Sequence, residues 1–211
     1  MVSSIELFNL KGKRALITGS SQGIGFALAK GLNSAGAEIV LNGRNKEKLN
    51  NAAKSLNSTH RLYQLCFDVT DQKETKNKID DFEEEFGSID ILINNAGMQF
   101  RSPLEDFPSD MFEKLLSTNV SSIFNVGQAV AKHMIKRGYG KIINIASVQT
   151  SLARPGIAPY TATKGAVGNL TKGMATDWAK YGIQCNALAP GYFDTPLNAA
   201  LVSDKEFTSW L

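Results

Sequence analysis

The sequence predicts a single α/β domain over residues 1–211, built on one doubly wound parallel (Rossmann) sheet with helices on both faces. Two observations favour this fold. Short apolar runs alternate with longer segments of helical periodicity along the whole chain, and a glycine-rich turn directly follows the first apolar run. Strict alternation of strands and helices is typical of parallel sheets that are covered on both faces.

Six short, largely apolar runs are predicted to form the strands. Such runs are typical of parallel strands that are buried on both sides. They cover residues 14–18, 37–42, 63–67, 89–93, 141–147 and 183–189. Segments with apolar side chains at helical spacing separate them. The first of these helices is predicted to bury Ile24, Leu28, Leu32 and Ala35 and to end at Gly36.

Two later helices carry features beyond their periodicity. The helix that begins at Asp71 has Glu74 three residues further on, which predicts capping of its first turn. The long helical stretch from residue 109 to about 136 contains Asn119. Asparagine is a poor helix former, so we expect it to mark a bend or to make a specific hydrogen bond.

Composition narrows the class of function. The net charge is +3 and the lysines and arginines are scattered, which gives no case for binding nucleic acid. No apolar run approaches the length of about 18 residues needed to span a membrane, and the N-terminus lacks the pattern of a secretory signal. Cys66 and Cys185 stand alone without metal-ligand spacing, so we expect no metal and two reduced thiols of a cytoplasmic protein.

The turn after the first strand has the spacing Gly19-x-x-x-Gly23-x-Gly25 and opens a helix. Glycines let the backbone approach a pyrophosphate, and a helix N-terminus favours its negative charge. In this strand–turn–helix context we interpret the segment as a dinucleotide site rather than as merely a tight turn. The expected cofactor contacts here are Gly19, Ser21, Gln22, Gly23, Ile24 and Gly25.

The end of the second strand indicates which dinucleotide binds. An acidic residue there would accept the 2′-hydroxyl of NAD and repel the 2′-phosphate of NADP. The strand instead ends Leu41-Asn42-Gly43-Arg44, with no carboxylate and one guanidinium that can hold a phosphate. We therefore expect NADP rather than NAD, with a solvated arginine at a helix start as the alternative.

Two further strand ends supply expected cofactor contacts. Asp68 follows the third strand and either pairs with the adenine amine or simply begins the turn into the next helix. Asn95, Ala96 and Gly97 follow the fourth strand on the cofactor side, and a polar turn is the alternative interpretation.

Ser147, Tyr160 and Lys164 are the candidate catalytic residues. The serine ends the fifth strand, and the other two are four residues apart on one face of a predicted helix. A phenol, an ammonium and a hydroxyl at the carboxyl end of a strand suit proton transfer to or from a carbonyl or alcohol oxygen. A lysine charge about 5 Å away would favour the tyrosinate by roughly 3 kcal/mol. A chance pair on an ordinary amphipathic helix is the alternative.

Together these motifs resemble the classical short-chain dehydrogenase/reductase family. The residues that carry the resemblance span nearly the whole chain in family order: 18–25, 94–97, Asn119, Ser147, Tyr160, Lys164, Pro190 and Gly191. The resemblance implies that Tyr160 is the acid/base and that Ser147 orients the substrate oxygen. It also implies that Lys164 holds the nicotinamide ribose while lowering the tyrosine pKa, and that Asn119 bends its helix to seat a proton-relay water. Pro190 and Gly191 are implied cofactor contacts.

Within the family, residues 41–45, 169–178 and 189–193 are most similar to bacterial gluconate 5-dehydrogenases. The similarity implies a homotetramer that interconverts gluconate and 5-ketogluconate with NADP. One alternative is a general NADPH-dependent keto reductase, for example one for 3-ketoacyl thioesters, and another is a non-catalytic NADP sensor. Two departures stand out: Ser151 stands where those enzymes tend to carry glutamate, and the chain ends at Leu211 before their closing strand. We therefore expect an incomplete C-terminus.

A sugar acid is an anion, so its site should offer a cation away from the position of hydride transfer. Arg101 lies just past residues 94–97, and Arg154 lies midway between Ser147 and Tyr160. We expect Arg101, and after it Arg154, to contact the carboxylate or hydroxyls of the substrate, together with Ser147 and Tyr160 at the reacting oxygen. Arginines solvated at loop tips are the alternative, because binding residues and idle charges both favour loops.

Overall fold

The computed structural model describes residues 6–195 together with Ser203, Lys205 and Ser209. In this part of the chain six strands form one sheet in the order β3-β2-β1-β4-β5-β6, and every neighbouring pair is parallel. The strands are β1 (Arg14–Ile17), β2 (Glu38–Gly43), β3 (Leu62–Cys66), β4 (Ile91–Asn94), β5 (Gly140–Ile145) and β6 (Ile183–Leu188). The predicted doubly wound sheet is confirmed.

Six α-helices connect or follow the strands. They are α1 (Gly23–Ser34), α2 (Lys46–Leu56), α3 (Gln72–Phe86), α4 (Ser109–Leu116), α5 (Ser122–Arg137) and α6 (Ala158–Trp178). The chain builds outward from β1 to β3 and then returns to place β4 beside β1. This reversal of strand order opens a crevice at the carboxyl ends of β1 and β4, the place where such sheets bind ligands.

Two hydrophobic cores lie on opposite faces of the sheet. Leu16 and Val40 belong to the core that also contains residues of α3, α5 and α6. Their strand neighbours Ile17 and Leu41 belong to the other core, which α1 and α2 cover. Because successive side chains of a strand point to opposite faces, one short apolar strand contributes to both cores. Helices on both faces of the sheet follow from this pattern.

The buried face of α1 differs from the predicted one. Its fully buried positions are Gly25, Ala29 and Asn33, whereas Leu28 and Leu32 pack only partly against the core. The physical reason is a close approach of the helix to the turn beneath it. A Cβ atom at Gly25 would lie 2.4 Å from the Asn95 side chain and 2.6 Å from a backbone oxygen. Small residues therefore face the sheet, and the larger ones lie at its margin.

A capping box has two hydrogen bonds, one from each side chain to the other residue's backbone N–H. Only the first of them is present at the start of α3. The Asp71 carboxylate accepts a hydrogen bond from the Glu74 N–H at 2.8 Å. The Glu74 carboxylate, however, accepts from the N–H of Asp68 at 3.4 Å rather than from that of Asp71. The cap thereby reaches back to the segment that follows β3, which is also part of the ligand crevice.

Within the described residues β6 is an edge strand that pairs only with β5, and its Leu188 is exposed. The closing strand that is expected to be missing would follow residue 195. Nearly all of that segment lies outside the described residues, so this expectation stays a prediction. Between residues 6 and 195 no helix is both long enough and apolar enough to cross a membrane.

Candidate active site

A cleft of about 610 Å³ follows the carboxyl ends of the strands, with the glycine-rich turn at one end and the candidate catalytic residues at the other. Its lining includes the predicted cofactor contacts Gly19, Ser21, Gln22, Gly23, Ile24, Arg44, Asp68, Asn95, Ala96, Gly97, Pro190 and Gly191. Gly25 does not line the cleft, because it lies behind the turn against Asn95. The structure thus brings strand ends that are distant in sequence into one groove.

The glycine-rich turn needs glycine for its backbone shape. Gly19 and Gly23 have φ angles of +62° and +59°, a left-handed conformation that is costly for other residues. A Cβ atom on Gly19 would also come within 2.9 Å of the Ala96 backbone. At the start of α1, Gln22 makes no side-chain capping hydrogen bond. The first turn of α1 therefore lacks a side-chain cap where it adjoins the cleft, and an anionic group can take that place.

Thr18 joins the ends of β1 and β4. Its Oγ1 accepts hydrogen bonds from the backbone N–H groups of Asn95 and Ala96 at 2.9 and 3.0 Å. In return the Asn95 side chain donates to the backbone oxygens of Thr18 and Gly19. Asn95 therefore shapes the glycine-rich turn as well as lining the cleft.

Asn42 is a structural residue of the site that the sequence analysis missed. It is almost completely buried at the end of β2 and donates to the backbone oxygens of Leu65 and Phe67. Its Oδ1 accepts from the Gly19 N–H at 3.3 Å. A polar side chain at the end of an otherwise apolar strand was the available signal, because buried amides require hydrogen-bond partners.

Arg44 and Asp68 face each other at the end of the cleft beside β2. The Arg44 Nη1 and Asp68 Oδ2 atoms are 3.6 Å apart, and the arginine side chain is 77% exposed. Asp68 also accepts hydrogen bonds from the N–H and hydroxyl of Thr70. Burial opposes ionisation of Asp68, but these hydrogen bonds and the Arg44 charge outweigh it and lower the carboxyl pKa. Asp68 holds the turn through Thr70 and also lines the cleft, so its position fits both interpretations that the sequence left open.

Ser147, Tyr160 and Lys164 meet at the other end of the cleft. Ser147 lies two residues beyond β5, where its hydroxyl accepts a hydrogen bond from the Gln149 N–H at 3.2 Å and also hydrogen-bonds to Tyr160. The Lys164 Nζ donates to the Ile145 oxygen at 2.7 Å and lies 5.7 Å from the centre of the Tyr160 ring. The predicted serine at a strand terminus and the helical tyrosine–lysine pair therefore lie together.

The pKa values at this end of the cleft differ from the expectation. Burial raises the pKa of Tyr160, although the hydrogen bond with Ser147 and the charge of Arg101 act in the opposite direction. Burial also lowers the pKa of Lys164 to about 8. The expected lowering of the tyrosine pKa is therefore not seen. Burial therefore changes the pKa of Tyr160 more than the nearby charges do. The Lys164 ammonium donates its hydrogen bond to the Ile145 oxygen.

Asn119 produces both the bend and the hydrogen bonds expected for it. A π-helical turn over Ser117–Ser121 separates α4 from α5, and Asn119 lies fully buried within it. Its side chain accepts from the Met98 N–H at 2.8 Å and donates to the Met98 oxygen and the Thr163 hydroxyl. Asn119 thereby ties the loop after β4 to α6, next to Lys164.

Arg101 and Arg154 lie behind the catalytic end, and neither lines the cleft directly. Both are half-buried, so the alternative of a fully solvated loop tip does not describe them. Arg101 donates to the side-chain oxygen of Gln99, which does line the cleft, at 3.0 Å. Burial and the neighbouring Arg154 lower the pKa of Arg101, while Tyr192 and Tyr160 raise it. The two guanidinium groups thus place concentrated positive charge near Tyr160.

Among residues 6–195 and the three isolated described residues, no group of three or more histidine, cysteine, aspartate or glutamate side chains is placed to hold a metal ion. At its catalytic end the cleft offers the Ser147 hydroxyl, the Tyr160 phenol and the Lys164 ammonium, and the Asp68 carboxylate lines it beside Arg44.

Comparisons with known proteins place this geometry in a family. A sequence profile described as short chain dehydrogenase matches residues 13–206. The gluconate 5-dehydrogenase of Gluconobacter oxydans is 58% identical over 211 residues, which are 100% of this chain and 82% of that protein. The 5-keto-D-gluconate 5-reductase of Escherichia coli is 44% identical over 207 residues, with 98% of this chain and 82% of that protein covered.

A solved structure agrees with this assignment. The crystal structure of a gluconate 5-dehydrogenase from Burkholderia cenocepacia, in complex with NADP and tartrate, is 55% identical and superimposes with a TM-score of 0.96. The match covers 99% of this chain and 82% of that chain. On the profile, the sequence identity and the fold, the chain belongs to the short-chain dehydrogenase family of oxidoreductases.

Proposed function

We propose that this protein transfers a hydride between NADP and the C5 carbon of a sugar acid, interconverting gluconate and 5-ketogluconate. The observation that carries the proposal is the single cleft that has Ser147, Tyr160 and Lys164 at one end and the glycine-rich turn at the other. Relatives named gluconate 5-dehydrogenase and 5-keto-D-gluconate 5-reductase support the choice of substrate. The NADP and tartrate complex of the Burkholderia cenocepacia protein supports a dinucleotide and a hydroxy acid in one groove.

The nicotinamide, when bound, supplies or accepts the hydride. The residues of this chain then handle the proton at the substrate oxygen. Tyr160 is kept protonated by burial, so in the direction of reduction its phenol donates a proton to the developing alkoxide. Ser147 lies beside the phenol and donates a hydrogen bond to the same substrate oxygen. In the direction of oxidation Tyr160 acts as the base, and the Lys164 ammonium 5.7 Å from its ring stabilises the negative charge.

Several features fit NADP better than NAD. No carboxylate ends β2, and the exposed Arg44 guanidinium adjoins the cleft at the point where the adenosine ribose would lie. Lys48 also lines that end, and it has no ion-pair partner among the described residues.

The uncapped first turn of α1 would hold the pyrophosphate. Asn119 would act as a positioning residue, and its π turn would seat a proton-relay water.

The activity is tested by mixing the intact protein with NADP and gluconate and following the absorbance of NADPH. We expect gluconate oxidation with NADP, and 5-ketogluconate reduction with NADPH. Faster reduction of a 3-ketoacyl thioester than of 5-ketogluconate would instead identify a general keto reductase. Binding of NADP without turnover of any of these substrates would identify a sensor.

Arg44→Ala is expected to weaken NADP binding about tenfold to a hundredfold while leaving NAD binding almost unchanged. A hydrogen bond to a charged group contributes roughly 1.5–3 kcal/mol net to binding. Only NADP carries the 2′-phosphate that Arg44 would bind. Binding is measured by titration with both cofactors. Lys46→Ala is the matched control, because Lys46 is an exposed neighbouring cation that does not line the cleft. Equal losses for NADP and NAD would show that Arg44 acts through Asp68 and the turn instead.

For the substrate anion we propose Arg101 as the main contact and Arg154 as a secondary one. Their proximity to each other and to Tyr160 supports this, since two guanidinium groups held together at a catalytic end favour a bound carboxylate. Arg101 is also hydrogen-bonded to Gln99, a residue of the cleft wall.

Arg101→Lys is expected to raise the KM for gluconate several-fold, because a lysine cannot hold a carboxylate with two parallel hydrogen bonds. Turnover of a small neutral ketone should hardly change. Steady-state kinetics with both substrates measures the difference. Unchanged gluconate kinetics in Arg101→Ala would remove this residue from the substrate site and favour the general keto reductase.

We also propose a cytoplasmic homotetramer. Exposed Phe112 on α4 and Phe124 on α5 support subunit contacts through these helices, because large exposed apolar side chains often mark interfaces. Light scattering on the purified protein tests this assembly, and a monomeric mass would contradict it.

A further inference from the structure

Gln149, at the catalytic end, has a buried side-chain oxygen without a hydrogen-bond partner among the described residues. Gln149 lines the cleft beside Ser147, and only 7% of its surface is exposed. Its Oε1 is buried and accepts no hydrogen bond. Among the described residues its Nε2 makes no hydrogen bond either, since the only bond from Gln149 to a side chain comes from its backbone N–H. An unpaired buried amide oxygen is costly and rare in native proteins, so it requires an explanation.

The backbone that carries Gln149 is firmly held. Gln149 is the middle residue of a short 3-10 turn, Val148–Thr150. The Thr150 hydroxyl donates to the Lys164 oxygen at 3.1 Å, and the Val148 N–H donates to the Pro190 oxygen at 3.1 Å. The turn is thus anchored to α6 on one side and to the segment after β6 on the other. The turn therefore holds the backbone of Gln149 close to the catalytic serine, and no hydrogen bond to its carboxamide is present within the described residues.

We infer that Gln149 is a specificity-determining residue that hydrogen-bonds a substrate hydroxyl next to the reacting carbon. The inference rests on the proposed sugar-acid function and extends it to the polyol part of the substrate. A carboxamide carries a donor and an acceptor, and a hydroxyl group also carries both. Rotation of the carboxamide by half a turn exchanges its two ends, so Gln149 can meet a hydroxyl of either orientation.

The lack of an internal partner gives the residue its selectivity. A polyhydroxylated substrate satisfies the amide on binding, whereas a substrate without the neighbouring hydroxyl leaves the amide unpaired in the closed site. Sites that are built to bond a hydroxyl reject analogues that lack it for this reason. The carboxamide is neutral, so it complements the arginines by contacting hydroxyls rather than the carboxylate.

The test compares Gln149→Met with the wild-type protein on two six-carbon keto acids. Both 5-ketogluconate and 5-oxohexanoate carry a carboxylate at C1 and a ketone at C5, but the second has no hydroxyl groups. We expect kcat/KM for 5-ketogluconate to fall about three- to tenfold, the range typical of one neutral hydrogen bond. For 5-oxohexanoate we expect kcat/KM to stay equal or to rise, because methionine removes the amide that this substrate leaves unpaired. Where its turnover is undetectable, its inhibition constant against 5-ketogluconate replaces kcat/KM.

A thermal melt provides a readout that is independent of turnover. Gln149→Met should melt no lower than the wild type, because methionine has a similar volume and removes the unpaired oxygen. Gln184→Met is the matched control, since Gln184 is an exposed glutamine on β6 whose side-chain oxygen accepts a hydrogen bond from Lys141. This control should leave the preference between the two keto acids unchanged.

Three results would overturn the inference. Equal losses on both keto acids with a lower melting temperature would mean that Gln149 only supports the turn. Unchanged kinetics on both would mean that its amide does not touch the substrate. A wild-type protein that reduces 5-oxohexanoate but not 5-ketogluconate would overturn the proposed function itself, and the inference with it.

Discussion

Tyr160→Phe is expected to lower turnover about 100- to 10,000-fold while the protein stays folded and binds NADP as before. General acid–base catalysis typically contributes a factor of this size, and the substitution removes only the hydroxyl that transfers the proton. Tyr160 is largely buried beside Ser147, so the ring that remains keeps its packing. The phenylalanine variant loses only the hydrogen bond with Ser147, so we expect a loss of stability of about 1 kcal/mol or less.

Steady-state kinetics, NADPH titration and a thermal melt together check this result. Tyr181→Phe is the matched control, because Tyr181 is partly exposed beyond the end of α6 and does not line the cleft. It should leave turnover unchanged. If Tyr160→Phe retained turnover within about threefold of the wild type, Tyr160 would not be the acid/base.

Lys164→Met is expected to abolish most turnover without destabilising the protein at neutral pH. Burial moves the pKa of Lys164 from 10.5 to about 8, which corresponds to a cost of about 3 kcal/mol for keeping the buried ammonium charged. Methionine removes this cost, but the Ile145 oxygen then loses its donor, at roughly 1–3 kcal/mol. The free energy of unfolding should therefore stay equal or rise by up to about 2 kcal/mol.

The pH dependence of stability makes this prediction specific. Between pH 8 and about 10.5 the unfolded wild type still binds a proton at Lys164 that the folded protein has released. Stability contributed by this group therefore rises with pH across that window. Lys164→Met lacks this titrating group. The excess of its free energy of unfolding over that of the wild type should therefore shrink as the pH rises. Tyr160 titrates in both proteins, and its contribution largely cancels from the difference.

Denaturant unfolding of both proteins at several pH values measures this difference. Lys172→Met is the matched control, because Lys172 lies on the exposed side of the same helix and its ammonium donates a hydrogen bond to Asn169 at the surface. A constant difference in stability between pH 7 and 10 would contradict a buried, weakly basic Lys164. Near-normal turnover in Lys164→Met would contradict its proposed role beside Tyr160.

Local patterns in the sequence determined the sheet, the glycine-rich turn and the catalytic group. Alternating apolar runs and helical segments leave few possible arrangements, so a parallel sheet with the ligand crevice at its carboxyl ends could be predicted. Tyr160 and Lys164 could be placed on one face because helical geometry depends only on spacing along the chain. Asn119 could be singled out because an amide inside a helix conflicts with local propensity.

Tertiary structure decided the features that depend on neighbours distant in sequence. The buried face of α1 is set by its close approach to Asn95, which favours Gly25 and Ala29 over larger side chains. The raised pKa of Tyr160 reflects burial, which no local spacing reveals. Gln149 belongs to no sequence motif, and its unpaired amide becomes visible only when α6 and the end of β6 surround its turn. Spacing along the chain thus determines which residues share an element, whereas burial and pairing depend on which elements meet.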